Sequence, residues 1–386
     1  MQVRVKIVFL VLFIIFTAMF GGSRFQQNSD AQVLQPCHFT RNLEYPRQQP
    51  PISYPTNINF KTNPKKYLED VLEYGLGSNL QGNCLTSDPL KWSHVEFMER
   101  NPRHGLTRER RSRPGELHPN QTSRVENYAV SVYNRIGAYT LRKVWGSGTP
   151  NLSQPIKFDE GTMVIKFLFT EAKDDQVPYL INPILITENI NGSLKELRLL
   201  QIDVAVKDSR NNNPTGWVFG TFIYNGNISQ DRRMNFAPIG LMHGNGIQPN
   251  ESLYVTDPLK PIPVGYRPKE HGYQGRLNGP VDDPQSSCVS CHSTAQIPLN
   301  GASRVDMAPE NDTPPDIRAY YFRNIRGGVV FGNPRPSSGR YFSMDYSLQL
   351  QTSVLNYNRA NPSFFKILDS SGKSIIPLGR DNLPIQ

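Results

Sequence analysis

The sequence predicts an α+β protein built mainly on an antiparallel β-sheet, with short helices and long loops. Several segments between residues 155 and 224 are rich in strand formers or alternate apolar and polar residues, as half-buried strands do. Turn-forming residues separate them, for example Pro-Thr-Gly at 214–216 and Asn-Gly at 225–226. The chain also holds 32 prolines and 29 glycines, which indicates irregular connections and argues against a helical bundle.

Local patterns place the individual elements. Strand formers and period-two alternation predict strands at residues 163–169, 179–186, 200–206 and 217–224. A proline at the start and apolar residues on one face predict a helix at 64–74. A capping box, Ser123 to Glu126, followed by an apolar stripe predicts a helix from 123 to 143. We also expect helices at 315–324 and 346–357, and a long Pro/Gly-rich connection at 237–287.

The N-terminus indicates export. Arg4 and Lys6 precede an apolar run at residues 7–20, as in a secretory signal. The run is shorter than the roughly 20 residues of a membrane-spanning helix, yet no clear cleavage site follows it. The first 31 residues are therefore a signal peptide or an N-terminal anchor.

The rest of the chain divides into an irregular or helical region at 32–150 and a β-rich domain at 151–386. Cys37 and Cys84 either form a structural disulfide or stay as two thiols.

Cys288-Val289-Ser290-Cys291-His292 is the motif that carries chemistry. Two thiols at this spacing can form thioether bonds to the two vinyl groups of one haem, and the histidine that follows can ligate the iron as its proximal ligand. The motif occurs once, so we expect one covalent haem c. Because haem c is attached outside the bacterial inner membrane, the motif and the export signal agree on a periplasmic protein, either free or anchored.

Two other interpretations of the motif are weaker. A thiol-disulfide oxidoreductase normally carries its cysteines just after a buried strand in a βαβ unit, whereas residues 276–287 are polar and loop-like. A zinc site needs two more ligands at comparable spacing, and the remaining cysteines are Cys37 and Cys84. A P-loop, a Gly-x-Ser-x-Gly elbow and a His-Glu-x-x-His motif are absent from the sequence.

The formal net charge of +9 predicts an acidic redox partner, attracted by long-range electrostatic steering. The densest basic run lies at residues 103–113. We expect a solvated loop or a docking patch there, and no nucleic-acid binding, since an exported haem protein rarely meets nucleic acid.

The order of Gly161 to Lys166, Val204 to Asp208, Trp217-Val-Phe and the haem motif resembles the cytochrome P460 and cytochrome c′-β family over about residues 158–295. The resemblance implies a mainly antiparallel β domain, His292 as proximal ligand, and a distal face that is open or capped by apolar side chains. It also implies that Lys166 is the candidate for a lysine crosslink to the porphyrin. The residues alone favour a lysine whose stem covers apolar surface while its ammonium reaches water.

The alternative fold is the small helical cytochrome c, in which a downstream methionine supplies the sixth iron ligand. Met344, at the more usual spacing, and Met307 are the candidates, and His243 and His271 are weaker ones. No amphipathic helix immediately precedes Cys288, which argues against that fold. A filled sixth position predicts an electron carrier, which we prefer. An empty one predicts a haem enzyme or a protein that binds nitric oxide, hydroxylamine or peroxide.

Overall fold

The structure is a computed structural model, and it describes residues 41–364 apart from 82–83, 86–87, 89–90, 99–104, 248–249, 300–301, 336–338 and 363. The predicted export signal and Cys37 lie outside the described residues, as does the side chain of Cys84. Within the described part of the chain, no helix is long and apolar enough to cross a membrane.

The described elements are mostly strands. The helices are α1 (Pro64–Asn79), α2 (Arg135–Trp145), α3 (Cys288–Ser293), α4 (Pro315–Tyr321) and α5 (Leu348–Ala360). The strands are β1 (Leu80–Gln81), β2 (Cys84–Leu85), β3 (Trp92–Ser93), β4 (Thr107–Arg108), β5 (Asn127–Asn134), β6 (Met163–Thr170), β7 (Leu185–Ile190), β8 (Ser193–Lys207), β9 (Trp217–Tyr224), β10 (Phe236–Met242), β11 (Ser252–Tyr254), β12 (Gln296–Leu299) and β13 (Arg340–Ser343).

A nine-stranded antiparallel sheet forms the body of the protein. Its strands run in the order β11-β10-β9-β8-β6-β5-β3, with β4 also paired to β5 and β7 to β8. Two smaller two-stranded antiparallel sheets pair β1 with β2 and β12 with β13. The predicted α+β class with a mainly antiparallel sheet is confirmed, and the small helical cytochrome alternative is wrong for this chain.

Register gives the two faces of the sheet different chemistry. One cross-strand row is apolar: Val132, Ile165, Val204 and Gly220 lie side by side on β5, β6, β8 and β9. Helix α1 covers this row, and Leu68 packs so closely over Gly220 that a Cβ there would lie 2.4 Å from its Cδ2. Because successive residues of a strand face opposite sides, the neighbouring row points away from α1.

That neighbouring row is polar. Ser131, Lys166, Asp203 and Thr221 are cross-strand neighbours on β5, β6, β8 and β9. Polar side chains on a covered sheet face need partners or a cavity. Here they line the cavity described below.

The helix predicted at 123–143 is wrong in its first half. Residues Asn127–Asn134 form β5, and the helix begins only at Arg135, capped by the side chain of Asn134. Tyr128 and Val132 fit a helical spacing, but as even-numbered positions they fit a strand equally well. Glu126 pairs with Arg108 across the strands and does not cap a helix. The region 32–150, described from sequence as irregular or helical, thus supplies three strands of the main sheet.

The remaining elements differ mainly at their ends. The strand predicted at 217–224 matches β9, and those at 163–169 and 200–206 lie within β6 and β8. The strand predicted at 179–186 begins instead at Leu185 and ends at Ile190. The segment 237–287, predicted as a connection, contains most of β10 and all of β11. The helices predicted at 64–74, 315–324 and 346–357 correspond to α1, α4 and α5.

Candidate haem site

A cavity of about 400 Å³ lies over the polar face of the sheet and is lined by the cysteine motif. This volume falls within the range of cofactor and ligand pockets. Cys288, Cys291 and His292 line it from α3, and residues of β5, β6, β8 and β9 form the wall provided by the sheet. The segment 346–349 and the loop residues 281–283 complete much of the remaining wall.

The motif folds as a single short helix because its N-terminus is doubly capped. Ser287 accepts a hydrogen bond from the backbone N–H of Ser290 at 3.1 Å, and the Ser290 hydroxyl accepts one from the backbone N–H of Ser287 at 2.8 Å. In the resulting helix, residues three apart lie on the same face, so both cysteine side chains reach the cavity.

Both thiols of the motif are free, and burial raises the pKa of each above its ordinary value. For Cys288 the carboxylates of Asp203 and Asp282 add to the effect of burial. A thiol-disulfide oxidoreductase needs the opposite, a thiol whose pKa is lowered so that thiolate forms at neutral pH. The electrostatics of the cavity therefore argue against that alternative.

His292 is oriented by a backbone carbonyl. Its Nδ1 lies 2.8 Å from the carbonyl oxygen of Tyr346, and since a carbonyl can only accept, Nδ1 carries the proton. Nε2 is then the unprotonated nitrogen. Burial lowers the pKa of the imidazole, which favours the neutral form. The ring of Phe219 packs against the imidazole with 4.9 Å between centroids.

A neutral histidine with its second nitrogen bonded to a carbonyl is the usual arrangement of a metal-binding imidazole. The residues around the cavity therefore fit a covalently attached haem: two unpaired thiols, one oriented imidazole and a wall with apolar side chains such as Val164 and Ala205. Within the described residues, no group of three or more His, Cys, Asp or Glu side chains could hold a metal ion by itself.

Lys166 lies at the cavity wall and meets a carboxylate there. Its Nζ is 3.1 Å from Oε2 of Glu109, and the lysine side chain is only 20% exposed. Burial opposes its charge, but the carboxylates of Glu109, Asp282 and Asp203 outweigh burial and raise the pKa of Lys166. The ammonium thus pairs with a partly buried carboxylate at the cavity wall.

Asp203 adds a second charged group to the same wall. Its carboxylate accepts hydrogen bonds from Gln201 Nε2 at 2.7 and 2.8 Å and from the Thr221 hydroxyl at 2.9 Å. Burial, helped by the negative charge of Asp282, raises the pKa of Asp203 to about 7. The cavity therefore contains a group able to gain or lose a proton near neutral pH.

The structure separates the two methionine candidates. Met307 lines the cavity, whereas Met344 is fully buried in the core and does not belong to the cavity wall. Met98, which the sequence did not suggest because it precedes the motif, also lines the cavity. The histidines His243 and His271 lie outside the cavity wall.

Two further groups that shape the site could not be predicted from the sequence. The Tyr346 carbonyl lies 54 residues from His292 along the chain. Arg110 donates to the carbonyls of Pro280, Val281 and Asp282 at 2.8–3.1 Å, and so holds the loop that precedes the motif. The basic run that contains Arg110 gave no local signal of this role, since it looks like any solvated basic loop.

Comparison with known proteins gave no match among protein-family models, curated proteins or solved structures.

Proposed function

We propose that this chain is an exported c-type cytochrome that binds one covalent haem and transfers electrons. In this proposal Cys288 and Cys291 form the two thioether bonds and His292 ligates the iron. The supporting observation is the shared cavity: both free thiols and the imidazole line it, and the imidazole nitrogen that would not bind iron already donates to a carbonyl.

When bound, such a haem supplies reversible one-electron chemistry. The residues of the chain have other tasks. The Tyr346 carbonyl fixes the tautomer and orientation of His292. Phe219 and the apolar wall positions limit access of water, and a drier site favours the less charged state of a redox centre.

If the haem transfers electrons, a second side chain would bind its iron, and Met307 and Met98 both line the cavity. A thioether on the iron would raise the reduction potential. The absorption spectra of Met307→Leu and Met98→Leu would identify the ligand, because its loss changes the spin state. Met344→Leu is the matched control, since that side chain lies in the core and does not line the cavity.

Covalent attachment is tested by intact mass and by visible spectra of the protein made with functional haem-attachment machinery. We expect the mass of one haem in the wild type and its loss in Cys288→Ala/Cys291→Ala. Cys84→Ala, which removes a cysteine outside the motif, is the control and should keep the haem. A wild-type protein of unmodified mass would refute the proposal.

The net charge of the chain predicts the kind of redox partner. The formal net charge of +9 favours an acidic redox protein, and encounter rates with such a partner fall as ionic strength rises. Stopped-flow electron transfer to an acidic and to a basic acceptor protein should therefore differ at low salt and converge at high salt. Equal rates at low salt would contradict this part of the proposal.

The export part of the proposal rests on the apolar run at residues 7–20 and on the compartment in which haem c is attached. We expect the protein in the periplasmic fraction, or on the periplasmic side of the inner membrane if the run is retained. N-terminal sequencing of the mature protein distinguishes the two cases. Recovery of haem-loaded protein from the cytoplasm alone would contradict export.

A second candidate function is a haem enzyme or a protein that binds small ligands at an open iron position. Lys166 and Asp203 favour it, because charged and titratable groups at a cofactor cavity can exchange protons with a bound ligand. Carbon monoxide discriminates the two functions. A ferrous spectrum that does not change with the gas supports the carrier, and a shift of the spectrum supports the open site.

A further inference from the structure

The carbonyl that orients His292 belongs to a turn with unusual backbone torsions. Asp345 has φ +47° and Tyr346 has φ +69°, both in the left-handed region. For residues other than glycine this conformation costs about 1–2 kcal/mol each, and a bulky aromatic residue rarely adopts it. Such a turn persists only where its surroundings hold it firmly.

The Asp345 side chain provides the strongest hold. It is fully buried and accepts hydrogen bonds from Lys207 Nζ at 2.9 and 3.1 Å, from the Trp217 indole at 2.9 Å and from the backbone N–H of Phe158 at 2.6 Å. Lys207 is almost as buried, with 3% of its side chain exposed. A buried carboxylate with four bonds of this kind cannot shift without leaving charges unpaired.

The surroundings are shaped around this ion pair. Lys207 and Trp217 are cross-strand partners at the ends of β8 and β9, so the sheet itself presents both donors. Gly327 lies directly against the pair: a Cβ at this position would come within 2.2 Å of Lys207 Nζ and 2.4 Å of the Asp345 carboxylate. The backbone at Gly327 therefore packs directly against the pair, with no room for a side chain between them.

The conformation of this turn fixes the position of the Tyr346 carbonyl. Any change in the torsions of Asp345 or Tyr346 reorients the peptide planes of the turn, and with them the oxygen that lies 2.8 Å from His292 Nδ1. The Tyr346 hydroxyl, which donates to the carbonyl of Ile325 at 2.7 Å, holds the other end of the same residue.

We infer that Lys207 and Asp345 form a positioning pair that holds the Tyr346 carbonyl against His292 and so sets the basicity of the nitrogen facing the cavity. The inference rests on the proposed haem. A hydrogen bond from Nδ1 to a carbonyl makes the imidazole a stronger electron donor, which favours oxidised over reduced iron. Neither residue of the pair is adjacent to the motif in sequence.

The test compares Asp345→Asn with a matched control, Asp208→Asn. Asp208 is also a fully buried carboxylate, paired with Arg210 at 2.7 Å, but it does not line the cavity or contact the turn. Both substitutions leave a cation without its carboxylate, so both should destabilise the protein. Intact mass and the midpoint potential are measured on the full-length haem-loaded proteins.

We expect Asp345→Asn to keep its haem and to show a more positive midpoint potential, while Asp208→Asn matches the wild type in both respects. If Asp345→Asn does not fold, Lys207→Met/Asp345→Asn, which leaves no buried charge unpaired, decides the question with the same expected shift. Wild-type values in the haem-loaded Asp345 variant would overturn the positioning role. Absence of haem from the wild type would instead refute the proposed function.

Discussion

Replacing Asp203 with asparagine should remove a pH dependence from the stability of this protein. The carboxylate lies in the wall of the cavity, where burial and then the charge of Asp282 raise its pKa to about 7. In the unfolded chain an aspartate titrates near 4. The folded state therefore binds a proton more tightly than the unfolded state does.

The sign follows from linkage. Between pH of about 4 and 7 the folded protein keeps the Asp203 proton and the unfolded chain has lost it, so the free energy of unfolding falls as pH rises. The favourable contribution is fully present below the unfolded pKa and is lost above the folded pKa. A difference of about three pH units, at 1.36 kcal/mol per unit, corresponds to about 4 kcal/mol.

The assay is urea unfolding followed by far-ultraviolet circular dichroism, for the wild type and Asp203→Asn in the same haem state. Buried histidines work in the opposite direction, since the pKa of His94 and of His243 is lowered to about 4. They are common to both proteins, so the difference between the two curves isolates Asp203. We expect the variant to gain about 3 kcal/mol relative to the wild type between pH 4 and 7, because each titration is only half complete at its own pKa.

Asp282→Asn provides a graded control. Removing its negative charge should lower the pKa of Asp203 and reduce the pH dependence without abolishing it, because burial is the larger cause. The argument would be refuted if the stability of Asp203→Asn relative to the wild type did not vary with pH, or if it rose toward acidic pH.

Other substitutions test the packing around the site. In urea unfolding, Gly115→Ala should destabilise the protein by about 1–2 kcal/mol, and Gly161→Ala by clearly more. Both glycines have φ +79°, but only at Gly161 would a Cβ meet a backbone oxygen, at 2.1 Å. In the same measurement, Lys207→Met should lower the free energy of unfolding by about 3–5 kcal/mol, because it leaves the Asp345 carboxylate unpaired. Lys207→Met/Asp345→Asn should lower it by less, and equal losses would contradict the buried pairing. Arg110→Ala should increase hydrogen exchange in the loop at 280–282, and unchanged exchange would refute its role there.

Local patterns were sufficient for β6, β9 and the second half of β8, but not for the other strands of the sheet. The strand at 217–224 was predicted to the residue, because strand formers fill it and turn residues bound it on both sides. The prediction of a helix at 123–143 was wrong in its first half, because Tyr128 and Val132 fit a helical spacing and a strand spacing equally well. Pairing with β6 on one side and β3 and β4 on the other decided the outcome.

The sequence by itself determined the antiparallel β class and the candidate cofactor residues, because strand alternation and the Cys-x-x-Cys-His spacing are local properties of the chain. Tertiary structure decided which distant groups meet them: Met307 and Met98 at the cavity wall, Met344 in the core, and the Tyr346 carbonyl at His292. These contacts join residues far apart in the chain, and no local pattern encodes them. The three methionines and Tyr346 lie in turns and loops outside the strands, so only the packing of the folded chain brings them to the cavity or into the core.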